Sequence, residues 1–213
     1  SIADGTALMD DYDITVTPGA TLTVQKSATE ITVTAKSKSW TYDGKSHELH
    51  EYDATNLGTL VAGDQLEVTF SADSVVMTPI DGEVENKIVS VKVLRTTSGQ
   101  QQDVSDNYTL AWYPGALTVM KRPVTLTSKG ASKSYDGTAL TKHEVEVGGD
   151  GFVGEDGATY TFSGSQLDKG KSKNAFEYSL KSGTNAAYYE ITKVEGELEV
   201  FPADISAGTG PDW

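Results

Sequence analysis

The 213-residue sequence contains no cysteine, so disulfide bonds, thiol nucleophiles and thiolate metal ligands are excluded. Histidine is also scarce, with 3 residues in the whole chain. No apolar stretch approaches the roughly 20 residues that a membrane-spanning helix needs. We therefore expect neither thiol chemistry nor membrane insertion from this sequence.

Basic residues are few in relation to acidic ones. The chain has 17 Lys and Arg against 31 Asp and Glu, for a formal net charge of -14. Such a chain offers no basic surface that would neutralise phosphates, which argues against nucleic acid and anionic membranes as partners. The acidic residues form no run, and this dispersed charge is typical of a soluble, surface-displayed protein.

An internal repeat organises the chain. Residues 31–42 (ITVTAKSKSWTY) are followed by an Asp-Gly pair, and residues 124–135 (VTLTSKGASKSY) are followed by another at the same spacing. Further matches align Asp64 with Asp156, Phe70 with Phe162, Asn86 with Asn174, and the closing segment 108–115 with 189–196. The chain therefore contains two copies of one unit.

Parts of further copies flank these two. The closing segment is found once more at residues 12–19, and residues 202–205 resemble the beginning of a copy. We divide the chain into a C-terminal hairpin of a preceding repeat (1–27), a first repeat (28–121), a second repeat (122–202) and the start of a following repeat (203–213). We expect the chain to be a fragment of a longer protein, and the hairpin at 1–27 to pair with the next repeat or a neighbouring chain, because exposed strand edges need partners.

Apolar residues alternate with Thr, Lys, Glu and Ser at a period of two, which predicts strands with one buried face. About seven short strands per repeat predict an all-β fold of two tandem immunoglobulin-like β-sandwich modules, with little or no helix. A β-grasp-like module is the alternative, but its helix would have to lie between Asp73 and Glu85, where Pro79 and Gly82 disfavour one. Short junctions, two of them containing proline, predict an elongated, monomeric rod.

Two kinds of turn are predicted between the strands. The Asp-Gly pairs at 43–44 and 136–137 favour tight hairpins with a positive φ at glycine. The Pro-Gly pairs at 18–19 and 114–115 favour type II turns. The equivalent pair of the second repeat, Glu195-Gly196, keeps only the glycine of the Pro-Gly pair.

Both repeats share four features: the Tyr-Asp-Gly turn, the aligned Asp64 and Asp156, the aligned Asn86 and Asn174, and the closing Tyr-x6-Gly segment. Together these features resemble the tandem YDG or MBG-type (mostly β, glycine-rich) repeats of bacterial cell-surface adhesins. This resemblance implies a secreted or cell-wall-attached protein in which many copies form a stalk or contribute to attachment. It implies no catalytic residues. We expect a non-catalytic stalk or spacer that projects an adhesive tip, with direct binding of a host or matrix glycan or protein as the alternative. A non-catalytic accessory module of a secreted carbohydrate-active enzyme is a third hypothesis.

Aromatic side chains are the best candidates for a ligand site. Tyr113, Trp40 and Trp112 could stack on sugars, although aromatic residues in strands more often pack in cores or junctions. Trp112 shares its predicted face with Tyr108 and Leu110, so Tyr113 is the better exposed candidate.

The sequence gives little support for a metal site or a covalent crosslink. His47 and His50 are three residues apart on a predicted strand and so point to opposite faces. Asp103 and Asp106, and the aspartates at 10, 11 and 13, offer oxygen ligands for Ca²⁺ but fit no loop signature. Lys133 and Asn107, the candidates for a Lys-Asn isopeptide bond, have no counterparts in the other repeat. We predict no metal, no cofactor and no catalytic residue.

Overall fold

The alternating segments of the sequence form strands in the computed structural model, which describes residues 25–203. The structure is 52% strand and 7% helical, and the helical part consists of short 3-10 turns. Within residues 25–203 there is no α-helix. The prediction of an all-β fold is confirmed.

The first repeat contributes nine strands, two more than expected. They are β1 (Glu30–Ala35), β2 (Lys38–Thr41), β3 (Tyr52–Ala54), β4 (Asp64–Phe70), β5 (Val84–Asn86), β6 (Ile88–Thr97), β7 (Gln100–Asp103), β8 (Thr109–Tyr113) and β9 (Gly115–Met120).

The second repeat contributes eight strands. They are β10 (Arg122–Ser128), β11 (Ala131–Ser134), β12 (Val145–Gly149), β13 (Ala158–Phe162), β14 (Gly170–Lys173), β15 (Phe176–Leu180), β16 (Tyr189–Val194) and β17 (Glu197–Phe201).

Strand pairing follows the same order in both repeats. The first repeat forms the sheets β3-β1-β8, β2-β9-β5 and β4-β6-β7, and the second forms β12-β10-β16, β11-β17-β14 and β13-β15. Each sheet of the described region therefore takes its strands from one repeat. In this comparison β7 is the strand without a counterpart.

The first and last segments of each repeat run parallel and bend together. Glu30 lies opposite Thr109 in the β1/β8 pair, and Lys38 lies opposite Leu117 in the β2/β9 pair, with no change of register between them. The chain therefore continues in the same direction through residues 114–115, and Gly115 has no positive φ. The predicted type II turn at 114–115 is wrong. The predicted number of strands is too low because each bend divides one long strand into two.

Glycine is required at these bends because two backbones approach each other closely. A Cβ added to Gly115 would lie 2.6 Å from the Ala35 carbonyl oxygen and closer still to that of Lys36. A Cβ added to Gly196 would lie 2.7 Å from the Gly130 nitrogen and would overlap the Ser128 carbonyl oxygen. Close approach, rather than a left-handed conformation, explains why the sequence keeps this glycine in both repeats.

The recurring asparagines fasten the same bends. Asn86 is fully buried and its Nδ2 donates to the Lys36 carbonyl at 2.8 Å. Asn174 is also fully buried, and its Nδ2 donates to the carbonyls of Lys129 at 2.8 Å and Lys142 at 2.7 Å. In each repeat the buried amide satisfies a backbone carbonyl at the bend, that of Lys36 or Lys129, and in the second repeat it also satisfies the Lys142 carbonyl between β11 and β12.

The Asp-Gly pairs form turns with the predicted positive φ, 76° at Gly44 and 78° at Gly137. In each turn the aspartate Oδ1 accepts the backbone N–H two residues later, from Lys45 and from Thr138, both at 2.9 Å. The turns do not close hairpins, however. The chain continues into an isolated bridge between His47 and Val76, and its counterpart joins Leu140 to Gln166.

Each repeat buries apolar residues between its sheets. In the first repeat Ile31, Val33, Val91 and Val93 are buried between β3-β1-β8 and β4-β6-β7. In the second repeat the equivalent space is filled by larger side chains, with Phe176 at the centre and aromatic residues of β13 and β15 around it. The shorter second repeat therefore compensates for its missing strand with bulkier residues.

The segment in which a β-grasp fold would need a helix forms one 3-10 turn, Pro79–Asp81. It is closed by a capping box, in which Thr78 and Asp81 bond each other's backbone N–H groups. The predictions for the hairpin at 1–27, for the aspartates at 10, 11 and 13, for the Pro-Gly pair at 18–19 and for the start of a repeat at 203–213 lie outside the described residues, except for positions 25–27 and 203.

Candidate functional site: the junction between the repeats

A single residue, Lys121, separates the last strand of the first repeat from the first strand of the second, because β9 ends at Met120 and β10 begins at Arg122. A one-residue linker allows little swing. The side chains around it decide how firmly the repeats are held.

Tyr42 is the central side chain of the junction. It follows β2 in the first repeat, and its ring lies 4.7 Å from that of Tyr188 and 5.8 Å from that of Tyr189, the latter edge to face. Phe152 also packs edge to face on Tyr189, at 5.1 Å. Only 8% of Tyr42 is exposed. Such aromatic pairs stabilise by about 0.5–1.5 kcal/mol each beyond the burial of their area.

Arg122 ties the backbones of both repeats together. Its Nε donates to the Gly151 carbonyl at 2.8 Å and its Nη2 to the Asp150 carbonyl at 2.5 Å. Its Nη1 donates across the junction to the Tyr42 carbonyl at 3.2 Å. Three bonds from one planar group fix an orientation, which a flexible lysine in its place would not do as well.

The apolar surface is continuous through the junction. One buried cluster contains Leu117 and Val119 of the first repeat together with Val124 and Leu126 of the second. The glycine of the first Asp-Gly turn lies against Val153, whose Cγ1 would be 3.0 Å from a Cβ at Gly44. The 3-10 turn Pro79–Asp81 also lies against the 3-10 turn Ala186–Tyr188. The repeats therefore share a core as well as a linker.

The closing tyrosine of each repeat anchors a loop through its hydroxyl. Tyr108 donates to Asp64 at 2.7 Å and accepts from the Val61 N–H at 3.0 Å. Tyr189 makes the same bonds with Asp156 and Val153, at 2.5 Å and 3.1 Å. The identical bonds explain why the sequence aligns these acids and tyrosines.

The two acids differ in their further partners. Arg95 binds Asp64 through two hydrogen bonds, of 2.6 and 2.9 Å, and this interaction is the main reason that the pKa of Asp64 is lowered. The second repeat has no arginine at this position, and burial, followed by the charge of Asp156, raises the pKa of Tyr42.

Stability is expected to fall as the pH rises from about 10 to about 12. Burial, followed by the hydrogen bond to Asp156, raises the pKa of Tyr189 to about 12. The folded protein therefore holds this proton where the unfolded chain, with a tyrosine pKa of about 10, has lost it. The resulting loss is on the order of 2 kcal/mol and is complete once the pH exceeds the folded-state pKa. Chemical denaturation between pH 9 and 12 measures it. Tyr189→Phe should flatten this part of the profile, and an unchanged slope in the variant would contradict the assignment.

Tyr42→Ala is expected to destabilise the protein by about 2–4 kcal/mol, because it empties an aromatic site at the shared core. The matched control is Tyr135→Ala at the equivalent position of the second repeat, where the ring is 42% exposed. We expect that change to cost less than about 1 kcal/mol. Thermal and denaturant unfolding of both variants provide the comparison, and equal losses would show that Tyr42 does not join the repeats.

The aromatic candidates for ligand binding lie in two places. Trp112 and Tyr113 are neighbours at the end of the edge strand β8 and are 42% and 54% exposed. Trp40 lies on β2, where it stacks on His47 at 4.8 Å with the Lys38 ammonium 5.2 Å from its ring. No ring contact within residues 25–203 joins Trp40 to the other two. In the second repeat the equivalent positions hold Lys133, Lys193 and Val194, so any such platform belongs to the first repeat alone.

The candidate metal and crosslink residues have other partners. His47 binds Asp43 at 2.9 Å, Asp103 accepts from Ser105, and the Lys133 ammonium binds Asp136 and Thr138 at 2.7 Å. Among residues 25–203 no three His, Asp or Glu side chains are grouped so that they could hold a metal ion. The same residues include no apolar helix of membrane-crossing length.

One histidine recurs in both repeats, which the sequence motifs do not predict. His50 stacks on Phe70 at 5.2 Å, and His143 stacks on Phe162 at 5.1 Å. The two histidines lie 93 residues apart, as do Ile31 and Val124, so they occupy equivalent positions. This shared spacing is the signal in the sequence that identifies the match. Because each histidine stacks on the equivalent phenylalanine of its own repeat, both have a packing role.

No protein-family model matches the chain, and no curated protein is significantly similar to it.

Proposed function

We propose that the chain is a non-catalytic stalk or spacer segment of a bacterial surface protein, built from like modules joined end to end. In this proposal each repeat is an immunoglobulin-like sandwich module, and the modules follow one another as an elongated rod outside the cell. The sequence resemblance to YDG or MBG-type repeats supports the location on the cell surface or cell wall.

The junction is the observation that carries the proposal. A one-residue linker, the Arg122 bond to the Tyr42 carbonyl and a shared apolar cluster all restrict the swing between the repeats. Neighbouring domains move relative to each other by default unless their interface is large and apolar. The residues that recur in both repeats, Gly115 with Gly196, Asn86 with Asn174 and Tyr108 with Tyr189, all maintain the backbone, which supports a mechanical role.

Small-angle scattering of the full chain tests this proposal. We expect the maximum dimension of the particle to equal that of two repeats placed end to end, and the distribution of distances to be narrow. Insertion of four glycines after Lys121 lengthens the linker without changing a buried side chain. Because the repeats can then swing, we expect a lower mean distance and a broader distribution of distances. A compact envelope for the unmodified chain, or no effect of the insertion, would contradict a stiff spacer.

Direct adhesion is the second candidate, and the exposure of Trp112 and Tyr113 on an edge strand supports it. A glycan and matrix-protein array of the full chain tests it. Binding that is lost in Tyr113→Ala and kept in Tyr135→Ala, whose ring is also exposed, would favour an adhesion module. Absence of binding across the array would leave the spacer as the function.

A further inference from the structure

We propose that both ends of the two-repeat unit are docking faces for further copies of the same repeat, joined head to tail in the geometry of the junction around Lys121. This inference rests on the proposed function as a spacer and names the partner that its end faces bind.

The far end of the second repeat repeats the surface that the first repeat buries in the junction. Tyr42 donates its backbone N–H to the Met120 carbonyl, and Tyr135 donates in the same way to Phe201, both at 2.9 Å. The two backbones are therefore placed alike. Yet Tyr42 is 8% exposed and Tyr135 is 42% exposed. The difference arises because Tyr188 and Tyr189 cover Tyr42, whereas no equivalent pair covers Tyr135 among the described residues.

The Asp-Gly turns show the same contrast. A Cβ at Gly44 would meet Val153 of the neighbouring repeat at 3.0 Å, whereas a Cβ at Gly137 would have nothing within 4 Å. The turns have nearly the same φ, 76° and 78°, so the contrast reflects what lies beside them.

The near end of the first repeat carries the complementary surface. Val61 and Tyr108 stand where Val153 and Tyr189 stand in the second repeat, with the same hydroxyl bond between them. Val61 is 56% exposed, while Val153 packs against the buried cluster. Val61, Tyr108 and Arg95 line a shallow groove there together with Ser27.

The occupant of these faces follows from the chain itself. The Tyr42 end and the Val153 end already bind each other inside this molecule, so their equivalents at the outer ends, with Asn107 in place of Tyr188, form the two sides of one heterologous contact. Such contacts add copies in one direction without closing, which builds a rod. Arg122 has no arginine counterpart at the aligned positions Thr29 and Ala203, so we expect contacts at the outer faces to depend on apolar packing.

Tyrosine footprinting of an extended chain tests the inference. A copy of residues 121–201 is inserted directly after Phe201 of the full chain, with Tyr135→Phe in the inserted copy only, so that labelling of Tyr135 itself is counted. We expect the rate of hydroxyl-radical labelling at Tyr135 to fall about fivefold, in line with the exposures of 42% and 8% at Tyr135 and Tyr42. Tyr113, which is 54% exposed and belongs to neither face, serves as the internal reference. An unchanged rate at Tyr135 would overturn the proposal.

The same data separate this inference from the spacer proposal. If Tyr42 is protected and Tyr135 is not, the end faces are not docking faces, and the spacer remains. If both are labelled at the rate of Tyr113, the junction itself is open and both proposals fail.

Self-association of the unmodified chain provides a second measurement that does not depend on folding of the inserted copy. Two repeats joined by a short linker meet at an effective concentration in the millimolar range. A contact that is stable within one chain can therefore be weak between separate chains, and millimolar protein is needed to detect it. We expect the sedimentation coefficient to rise towards about 1 mM protein. Val61→Asp and Tyr135→Ala should each abolish the rise, and Tyr113→Ala should not. A sedimentation coefficient that stays independent of concentration up to about 1 mM would refute the inference.

Discussion

Gly196→Ala is expected to lower the free energy of unfolding by about 3 kcal/mol or more. The added methyl group would overlap the Ser128 carbonyl oxygen and lie 2.7 Å from the Gly130 nitrogen. Both obstacles are backbone atoms of the paired strand, so no side chain can rotate to make room. The strands must move apart, and this disturbs the parallel pairing on both sides of the bend.

Gly58→Ala is the matched control for this substitution. Gly58 lies in the 3-10 turn Leu57–Thr59, has no positive φ and would place its Cβ at least 4 Å from other groups. We expect a change of less than about 0.5 kcal/mol there, or a slight gain from the lower entropy of the unfolded chain. Denaturant unfolding of both variants gives the comparison. Similar stabilities for the two would show that close approach does not explain the recurring glycine.

Asn174→Ala is expected to cost about 2–4 kcal/mol. The substitution removes two hydrogen bonds and leaves the partly buried carbonyls of Lys129 and Lys142 without this donor. The Asn174 Oδ1 is itself buried without a partner in the described region, so its removal offsets a part of the loss. The loss of two hydrogen bonds from a fully buried amide outweighs this offset.

Asn185→Ala provides the comparison at an exposed asparagine. Its Oδ1 accepts one bond from the Ala187 N–H at the start of a 3-10 turn, at 3.0 Å. We expect a loss of about 1 kcal/mol or less. If the two variants lose the same stability, the buried asparagine does not fasten the bend.

The alignment of the two copies can be predicted from sequence, because spacing alone identifies equivalent positions. Asp64 with Asp156 and Tyr108 with Tyr189 make identical hydrogen bonds, as that alignment implies. The strands can also be predicted, since period-two alternation is a local property of the sequence. The positive φ of the Asp-Gly turns is predictable for the same reason.

The bends cannot be predicted, because their cause is a contact between distant segments. A Pro-Gly pair favours a reversal of the chain when only its neighbours are considered. Here the partner strand lies parallel and far earlier in the chain, as in the pairing of Lys38 with Leu117, and the glycine makes room for it. No local pattern specifies that partner. The recurring glycine and asparagine are visible in the sequence, but their joint role at one bend emerges only once the strands are paired.

The sequence predicts a short junction, but it does not predict the side chains that pack there. Tyr42 aligns with Tyr135 as part of a repeat motif, and that alignment gives no reason to expect different surroundings. The difference arises from the next repeat, which contributes Tyr188 and Tyr189 to one of these tyrosines alone. An alignment of one copy on another compares equivalent positions, and it therefore cannot predict contacts between successive copies.

Residual dipolar couplings of the full chain in a weakly aligning medium test the central claim most directly. If the repeats are two copies of one fold held rigidly at Lys121, a single alignment tensor fits the backbone couplings of both. Tyr42→Ala should then require two tensors of different magnitude. Two different tensors in the unmodified chain would contradict the claim that the junction holds the repeats as one body.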